Sequence, residues 1–389
     1  MSARRAGASA GGEHVAVVVG AGAAGLGAAA SLERRGVPTL VLERYDGVAA
    51  SWRRRYASVR LNTVRWMSGL PRMSIPRTYG PWPTRDAFVA YLEAYAERHA
   101  LEVRTNVAVE RIDPTAGGYR LTTSAGALQA QVVVVATGFN HTPRTPAWPG
   151  LADFEGTFLH ASAYRDATPF AERDVLIVGL GNTGTELAVE LLRGGARRVQ
   201  VSMRTPPNIL RRSNFGVPAT VVGRLGEYGP AVVPDRLGRL LQRLLWGDLT
   251  RYGLPPAPYG IATEIERKGL GPVVDNGFVA LLKRGGVELV PQVERFEGTE
   301  VALSGGRRVR PDVVIAATGY SFGLEPLVGH LGVLGPSGRP LASGAATHPA
   351  HPCLFFNGYH APLRGQLPSM SGTSRQIASA VARRLARQA

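Results

Sequence analysis

Two glycine clusters of the same spacing carry the first chemical signal in this sequence. Gly20-Ala21-Gly22-Ala23-Ala24-Gly25 follows the apolar run Val15 to Val19, and Gly179-Leu180-Gly181-Asn182-Thr183-Gly184 follows Asp174 to Val178, 159 residues later. In such a turn the first glycine permits a tight bend, the second lets the main chain approach a pyrophosphate, and the third lets helix and strand pack closely. The helix that follows points free N–H groups and its positive dipole end at the anion. An Ala-rich helical stretch to Arg35, a stop at Gly36 and a strand from Thr39 to Leu42 complete the first copy. A helix through Arg193, Gly194-Gly195 and a strand from Val199 to Met203 complete the second. An ordinary glycine-rich loop lacks this succession of strand, helix and strand.

The residues closing each second strand differ, and so does the chemistry they suit. Glu43, with Arg44 after it, lies 23 positions beyond Gly20, where a carboxylate accepts hydrogen bonds from a ribose diol. Ser202-Met203-Arg204-Thr205 holds no acid. A guanidinium there pairs with a ribose 2′-phosphate that a carboxylate would repel, so Arg204 argues for NADPH over NADH. Arg211 and Arg212 are candidate second contacts; solvated surface positions are the alternative for all three. Two dinucleotide units imply two dinucleotides, one kept and one exchanged.

Other elements must position these turns. Gln131 to Gly138 and Val313 to Gly319 are apolar runs that each end in Ala-Thr-Gly, as expected of parallel strands buried on both faces. Thr137, Gly138, Thr318 and Gly319 then stand at strand ends beside a cofactor. Because these runs bracket the second glycine cluster, the second unit is expected to be inserted into the first. Leu354 to Tyr359 predicts a further strand, and Ile377, Val381 and Leu385 form an i, i+4, i+8 stripe on a helix from Thr373 to Gln388. The fold class is α/β, with two Rossmann-like dinucleotide-binding domains, the second inserted into the first.

The chain has 389 residues, enough for two or three domains. Its net charge is +16, with 45 Lys plus Arg against 29 Asp plus Glu, and the only lysines are Lys268 and Lys283. The arginines are scattered as pairs and triplets rather than gathered into a tail, so no nucleic-acid partner is expected. A single cysteine, Cys353, excludes an internal disulfide, a Cys-x-x-Cys redox pair and a multi-thiolate metal site. Arg4-Arg5 before the apolar stretch Val15 to Ala30 imitates a secretory signal, but the dinucleotide turn explains that stretch better. No segment approaches the roughly 18 apolar residues of a membrane span. A cytoplasmic protein is expected.

Between the two units, Phe154 to Arg165 reads F-x-G-x-x-x-H-x-x-x-Y-R, with His160 and Tyr164 at its centre. With both glycine clusters and both Ala-Thr-Gly endings, it resembles the signature of the class B flavin-dependent monooxygenases. Gly80-Pro81-Trp82-Pro83, Phe215-Gly216, Tyr252-Gly253-Leu254 and Pro272-Val273-Val274-Asp275 are similar to the plant YUCCA-type branch. Tyr rather than Trp at position 164 separates the chain from the Baeyer–Villiger branch.

The resemblance implies an FAD-binding domain of residues 1–160 and 316–389, enclosing an NADPH-binding domain of residues 161–315 with a helical insertion near 205–260. It implies flavin reduction by NADPH, capture of O2 as a C4a-(hydro)peroxyflavin, and transfer of one oxygen to a small organic substrate. Indole-3-pyruvate-like α-keto acids or nucleophilic N or S centres are the implied substrates. An NADPH oxidase or flavin reductase releasing peroxide is the alternative. Asn62 is implied to face the flavin and peroxide, where an amide donates without titrating; a turn-capping Asn is its other reading. Trp52 is implied to lie beside the FAD, or to be a plain core aromatic, and Gly47-Val48-Ala49-Ala50 departs from the usual Gly-Gly pair before it. His160 and Tyr164 are implied to belong to the interdomain linker. Asp235 to Trp246 predicts a basic amphipathic helix roofing the substrate cavity, with membrane contact not expected.

Overall fold

The computed structural model describes residues 14–214, 216–227, 230–269, 271–360 and 362–388; Arg4, Arg5 and Phe215 lie outside them. The strands used below are β1 (Ala16–Val19), β2 (Thr39–Leu42), β3 (Glu102–Arg104), β4 (Val132–Val135), β5 (Thr157–His160), β6 (Asp174–Val178), β7 (Arg198–Ser202), β8 (Val287–Val290), β9 (Val313–Ala316) and β10 (Leu354–Phe356). The helices are α1 (Ala23–Glu33), α2 (Arg85–Arg98), α3 (Asn182–Arg193), α4 (Ala219–Gly226), α5 (Val232–Trp246), α6 (Ile261–Lys268) and α7 (Gln366–Gln388).

The valine-rich runs become the centres of two five-stranded parallel sheets, because β-branched side chains suit a pleat covered on both faces. One sheet has the order β10-β4-β1-β2-β3 and the other β8-β7-β6-β9-β5. Val18 lies opposite Val41 and Val134, and Ile177 opposite Val201 and Ile315. Each glycine turn therefore leaves the C-terminal end of a central strand, where parallel α/β sheets bind ligands. The first sheet takes β10 from beyond the whole second sheet.

Sheet membership moves the expected boundary at residues 160 and 316. Thr157–His160 pairs with β9 at the edge of the second sheet, and Ala316 lies opposite His160 in that ladder. The two chain crossings run side by side, since Thr142–Pro143 pairs antiparallel with Tyr320–Ser321. Two three-stranded antiparallel sheets, formed by residues 109–130 and 293–309, were not anticipated from the sequence.

Small side chains on α1 let α7 come close: a Cβ on Gly27 would stand 2.8 Å from Ser374 Oγ. Ile377 and Val381 are fully buried in the same core as α1, each contributing about 1.5–3 kcal/mol by leaving water. The helix starts at Gln366, earlier than the stripe from Thr373 suggested. Asn357 Nδ2 donates to Ala24 O and to Ser374 Oγ, both at 3.0 Å, and ties β10's exit to both helices.

Candidate functional site

One cavity of about 1550 Å³ opens between the two sheets and is lined by both glycine turns. A pocket for a single drug-sized ligand is about 300–1,000 Å³, so this one has room for more than one molecule. Its walls also include Trp52, Asn62, Arg204, Arg212 and residues of α5.

At the first turn, Gly20 has φ +108°, and a Cβ there would meet Ala136 O at 2.7 Å. A Cβ on Gly25 would lie 1.8 Å from Gly20 O, whereas Gly22 faces open space. Each glycine thus does a different job, and Gly22 leaves the cradle that a pyrophosphate fits. Glu43 is buried: Oε2 accepts from Ala21 N at 2.8 Å and Oε1 from Tyr45 N at 3.1 Å. An ionised carboxylate has about four acceptor sites, so capacity remains toward the cavity it lines. Arg44 is exposed on the same rim, its guanidinium 4.6 Å from the Tyr45 ring centroid. Trp52 packs edge-on against Phe88 at 4.7 Å while still lining the cavity.

The second turn repeats the pattern. Gly179 has φ +117° and stands where a Cβ would meet Ala317 O at 2.5 Å; on Gly184 it would lie 1.9 Å from Gly179 O; Gly181 is open. The Asn182 amide is committed elsewhere, donating to Pro272 O at 3.1 Å and accepting from Val274 N at 2.8 Å. It clips residues 272–274 to the start of α3 at the cavity wall, which Asn182 itself lines. Thr183 lines the cavity beside it. Arg204, exposed just beyond β7, lines it too.

The Ala-Thr-Gly threonines hold structure with their hydroxyls. Thr137 Oγ1 lies 2.7 Å from Tyr359 Oη, which also accepts from Thr137 N at 3.1 Å. Thr318 donates to Arg144 O, and Gly319 O accepts from Arg144 N at 3.0 Å. Both threonines line the cavity together with the glycines that follow them, at φ +100° for Gly138 and +83° for Gly319. His160 Nε2 lies 3.2 Å from Gly319 O, and the ring meets Tyr320 edge-on at 5.2 Å. His160 Nδ1 lies 3.0 Å from Ser162 Oγ, so both ring nitrogens are engaged by the protein, and burial lowers the His160 pKa. Tyr164 is buried and stacked on Phe170 at 5.5 Å.

Of the two candidate second contacts, Arg212 lines the cavity with Arg204 and Arg211 does not. Arg211 lies over the Trp246 ring at 4.6 Å, because its long side chain covers that aromatic face. Arg212 turns to the other domain, where its Nη2 donates to Asn62 Oδ1 at 3.1 Å. Beside this pair Tyr56 donates to Glu186 in the interior, and Ser58 donates to Glu190 at the surface. Burial pushes the Glu186 carboxyl up, opposed by Tyr56, Arg212 and Asn62, and pushes the Tyr56 phenol up as well. Sequence reasoning missed Glu186 and Glu190. Their i, i+4 spacing in an otherwise apolar helix was the available signal, since such acids share one face and need partners there.

Helix α5 roofs the cavity only in part. Val233, Leu237 and Leu241 line it, but Val233 and Leu237 are also exposed, as are Leu240 and Leu244. Asp235 points inward and accepts from Ala262 N at 2.7 Å and Thr263 Oγ1 at 2.5 Å, capping α6. Among the described residues, no helix is long and apolar enough to cross a membrane.

Residues 17–222 match the pyridine nucleotide-disulphide oxidoreductase family. The chain is 36% identical over 310 residues to the indole-3-pyruvate monooxygenase YUCCA1 of Oryza sativa subsp. japonica, covering 78% of this chain and 76% of that protein. It is 34% identical over 316 residues to the probable indole-3-pyruvate monooxygenase YUCCA9 of Arabidopsis thaliana, covering 78% and 74%. Among solved structures it is similar to a flavin-containing monooxygenase from Stenotrophomonas maltophilia, at 25% identity and TM-score 0.71, covering 94% of this chain and 98% of that one.

Proposed function

The chain belongs to the YUCCA-type branch of the class B flavin-dependent monooxygenases, and on that premise we propose that its substrate is an α-keto acid of the indole-3-pyruvate kind. It is an FAD-containing, NADPH- and O2-dependent monooxygenase acting on a small organic substrate. The wider family is named for disulphide chemistry, but that needs a thiol pair and Cys353 stands alone.

In the proposed assignment the first turn holds FAD, with Gly20, Gly22 and Gly25 at its pyrophosphate, Glu43 at its ribose, and Trp52 and Gly138 along it. The second holds NADPH, with Gly179, Gly181, Thr183 and Gly184 at the pyrophosphate, Arg204 at the 2′-phosphate and Gly319 at the domain crossing. The open cradles at Gly22 and Gly181 support the fit of both groups. When bound, FAD reduced by NADPH supplies the chemistry that delivers one atom of O2 to the substrate and releases the other as water. With an α-keto acid, the carboxylate leaves as CO2 and the ketone carbon becomes the new acid.

The chain's own part is to bind, orient and exclude water. Asn62, its Oδ1 held by Arg212, is assigned as the catalytic amide that donates to the reacting oxygen without titrating. The observation that carries the reading is that one cavity is lined by both glycine turns and by Asn62. The test follows NADPH, indole-3-acetate and peroxide together on addition of indole-3-pyruvate. Product is expected to track NADPH in the wild type, and Asn62→Ala to divert turnover to peroxide. Stoichiometric peroxide in the wild type for this and every other keto acid tried would sink the reading.

A further inference from the structure

The cavity wall between Arg212 and Thr220 is polar in a way the protein alone leaves incomplete. Arg212 Nε, Asn214 Oδ1 and Thr220 Oγ1 are buried without a hydrogen-bond partner among the described residues, and all three residues line the cavity. Buried polar groups are normally paired, so three orphans on one stretch indicate a surface shaped for a polar ligand. Arg212 is the charged member. Its guanidinium bonds the neutral Asn62 amide and forms no ion pair among the described residues. It lies 5.8 Å from the Trp82 ring centroid, and Arg60, whose charge it also feels, lines the same cavity. Glu186 and Asp275 offset the Arg60 repulsion at a distance, but neither forms an ion pair with the Arg212 guanidinium among the described residues, so its buried Nε remains available to an anion entering the cavity.

We propose that Arg212 holds the carboxylate of the substrate, with Asn62 beside it at the reacting carbon. The assignment rests on the reading of the substrate as an α-keto acid. In such an acid the carboxylate is bonded directly to the ketone carbon, so its anchor must adjoin the oxygen chemistry. Arg212 meets that condition through its contact with Asn62. A planar guanidinium suits a carboxylate because it can donate two parallel hydrogen bonds.

The test titrates the oxidised holoenzyme with two unreactive probes, indole-3-propionate and indole-3-propionamide, following the visible spectrum of the bound flavin. Wild type is expected to prefer the acid. Arg212→Gln is expected to weaken acid binding by about 10- to 100-fold while the amide changes by less than about threefold. Arg212→Lys, which keeps the charge but loses the fork, is expected to retain part of the preference and serves if the Gln variant loses its flavin. Equal weakening of both probes would mean that Arg212 only props Asn62, and it overturns the proposal. So does a wild type without preference for the acid. A fall in NADPH-over-NADH preference with an unchanged acid-to-amide ratio would assign the guanidinium to the nucleotide and would likewise overturn it. If the acid preference and its loss in Arg212→Gln are found while no α-keto acid is turned over, the carboxylate site stands and the substrate reading falls.

Discussion

The phenol of Tyr56 donates a hydrogen bond to the carboxylate of Glu186, joining the segment after the first dinucleotide unit to the first turns of the helix that opens the second. Glu186 is almost wholly buried, and burial raises its pKa. A carboxyl raised by folding binds its proton in the native state at pH values where the unfolded chain has released it. Its contribution to stability is therefore complete below about 4.5 and lost as pH rises through the folded value. Glu186→Gln removes that titration. The Tm difference between variant and wild type should shift in the variant's favour as pH is raised from about 4.5 to about 8. A difference independent of pH would mean that the carboxyl titrates normally.

The two open glycines allow the proposed FAD and NADPH sites to be tested separately. A methyl group added at Gly22 or Gly181 would have nothing within 4 Å, and both residues have ordinary negative φ at their helix starts. Alanine at either place should leave folding nearly unchanged but fill the cradle. Gly22→Ala is expected to purify with little or no FAD. Gly181→Ala should stay yellow and show an NADPH KM raised about tenfold or more, the scale of one lost charge-assisted contact. Absorbance of the purified proteins and initial rates decide both. Gly25→Ala and Gly184→Ala should instead fail to fold, since the added methyl would overlap a backbone oxygen.

Arg204 lines the cavity, while the other two arginines of its local trio are engaged elsewhere: Arg211 covers Trp246 and Arg212 meets Asn62. Arg204→Ala should lower the kcat/KM ratio of NADPH over NADH by about 10-fold or more, chiefly through the KM for NADPH. An unchanged ratio would remove Arg204 from the nucleotide site.

Asn357 is fully buried, and its Nδ2 bridges Ala24 O and Ser374 Oγ. Asn357→Ala leaves both acceptors short of a donor. Denaturant unfolding of the holoenzyme should show a loss of about 1–3 kcal/mol, with the flavin released at lower denaturant. A loss within about 0.5 kcal/mol, the size of an ordinary surface change, would mean that the bridge is dispensable.

Much of this frame was legible in the residues because local rules decide it. Val15 to Val19 and Gln131 to Ala136 could hardly be anything but buried parallel strands, and each glycine cluster announces strand, turn and helix together. What the residues did not disclose is which side-chain partners lie far along the chain. Thr137 and Thr318 line the cavity as their place at the strand ends suggested, but that Tyr359 and Arg144 hold their hydroxyls was not legible. Asn182 lines the cavity, but that its amide also clips residues 272–274 was not legible. The arginine-studded helix hinted at a plain roof, yet Asp235 turns in to cap α6 and Leu244 turns out.

By itself the sequence determined the two dinucleotide-binding units, their nesting, the absence of a thiol pair and the family. Glycine spacing, valine runs and a cysteine count are statements about short stretches of backbone, and they survive without knowledge of neighbours. The tertiary structure alone decided that Tyr56 meets Glu186, that Arg212 meets Asn62 rather than Arg204, and which polar atoms face the shared cavity without partners. Those pairings span about 130 to 150 positions. They follow from how two sheets are docked, and no local periodicity records that.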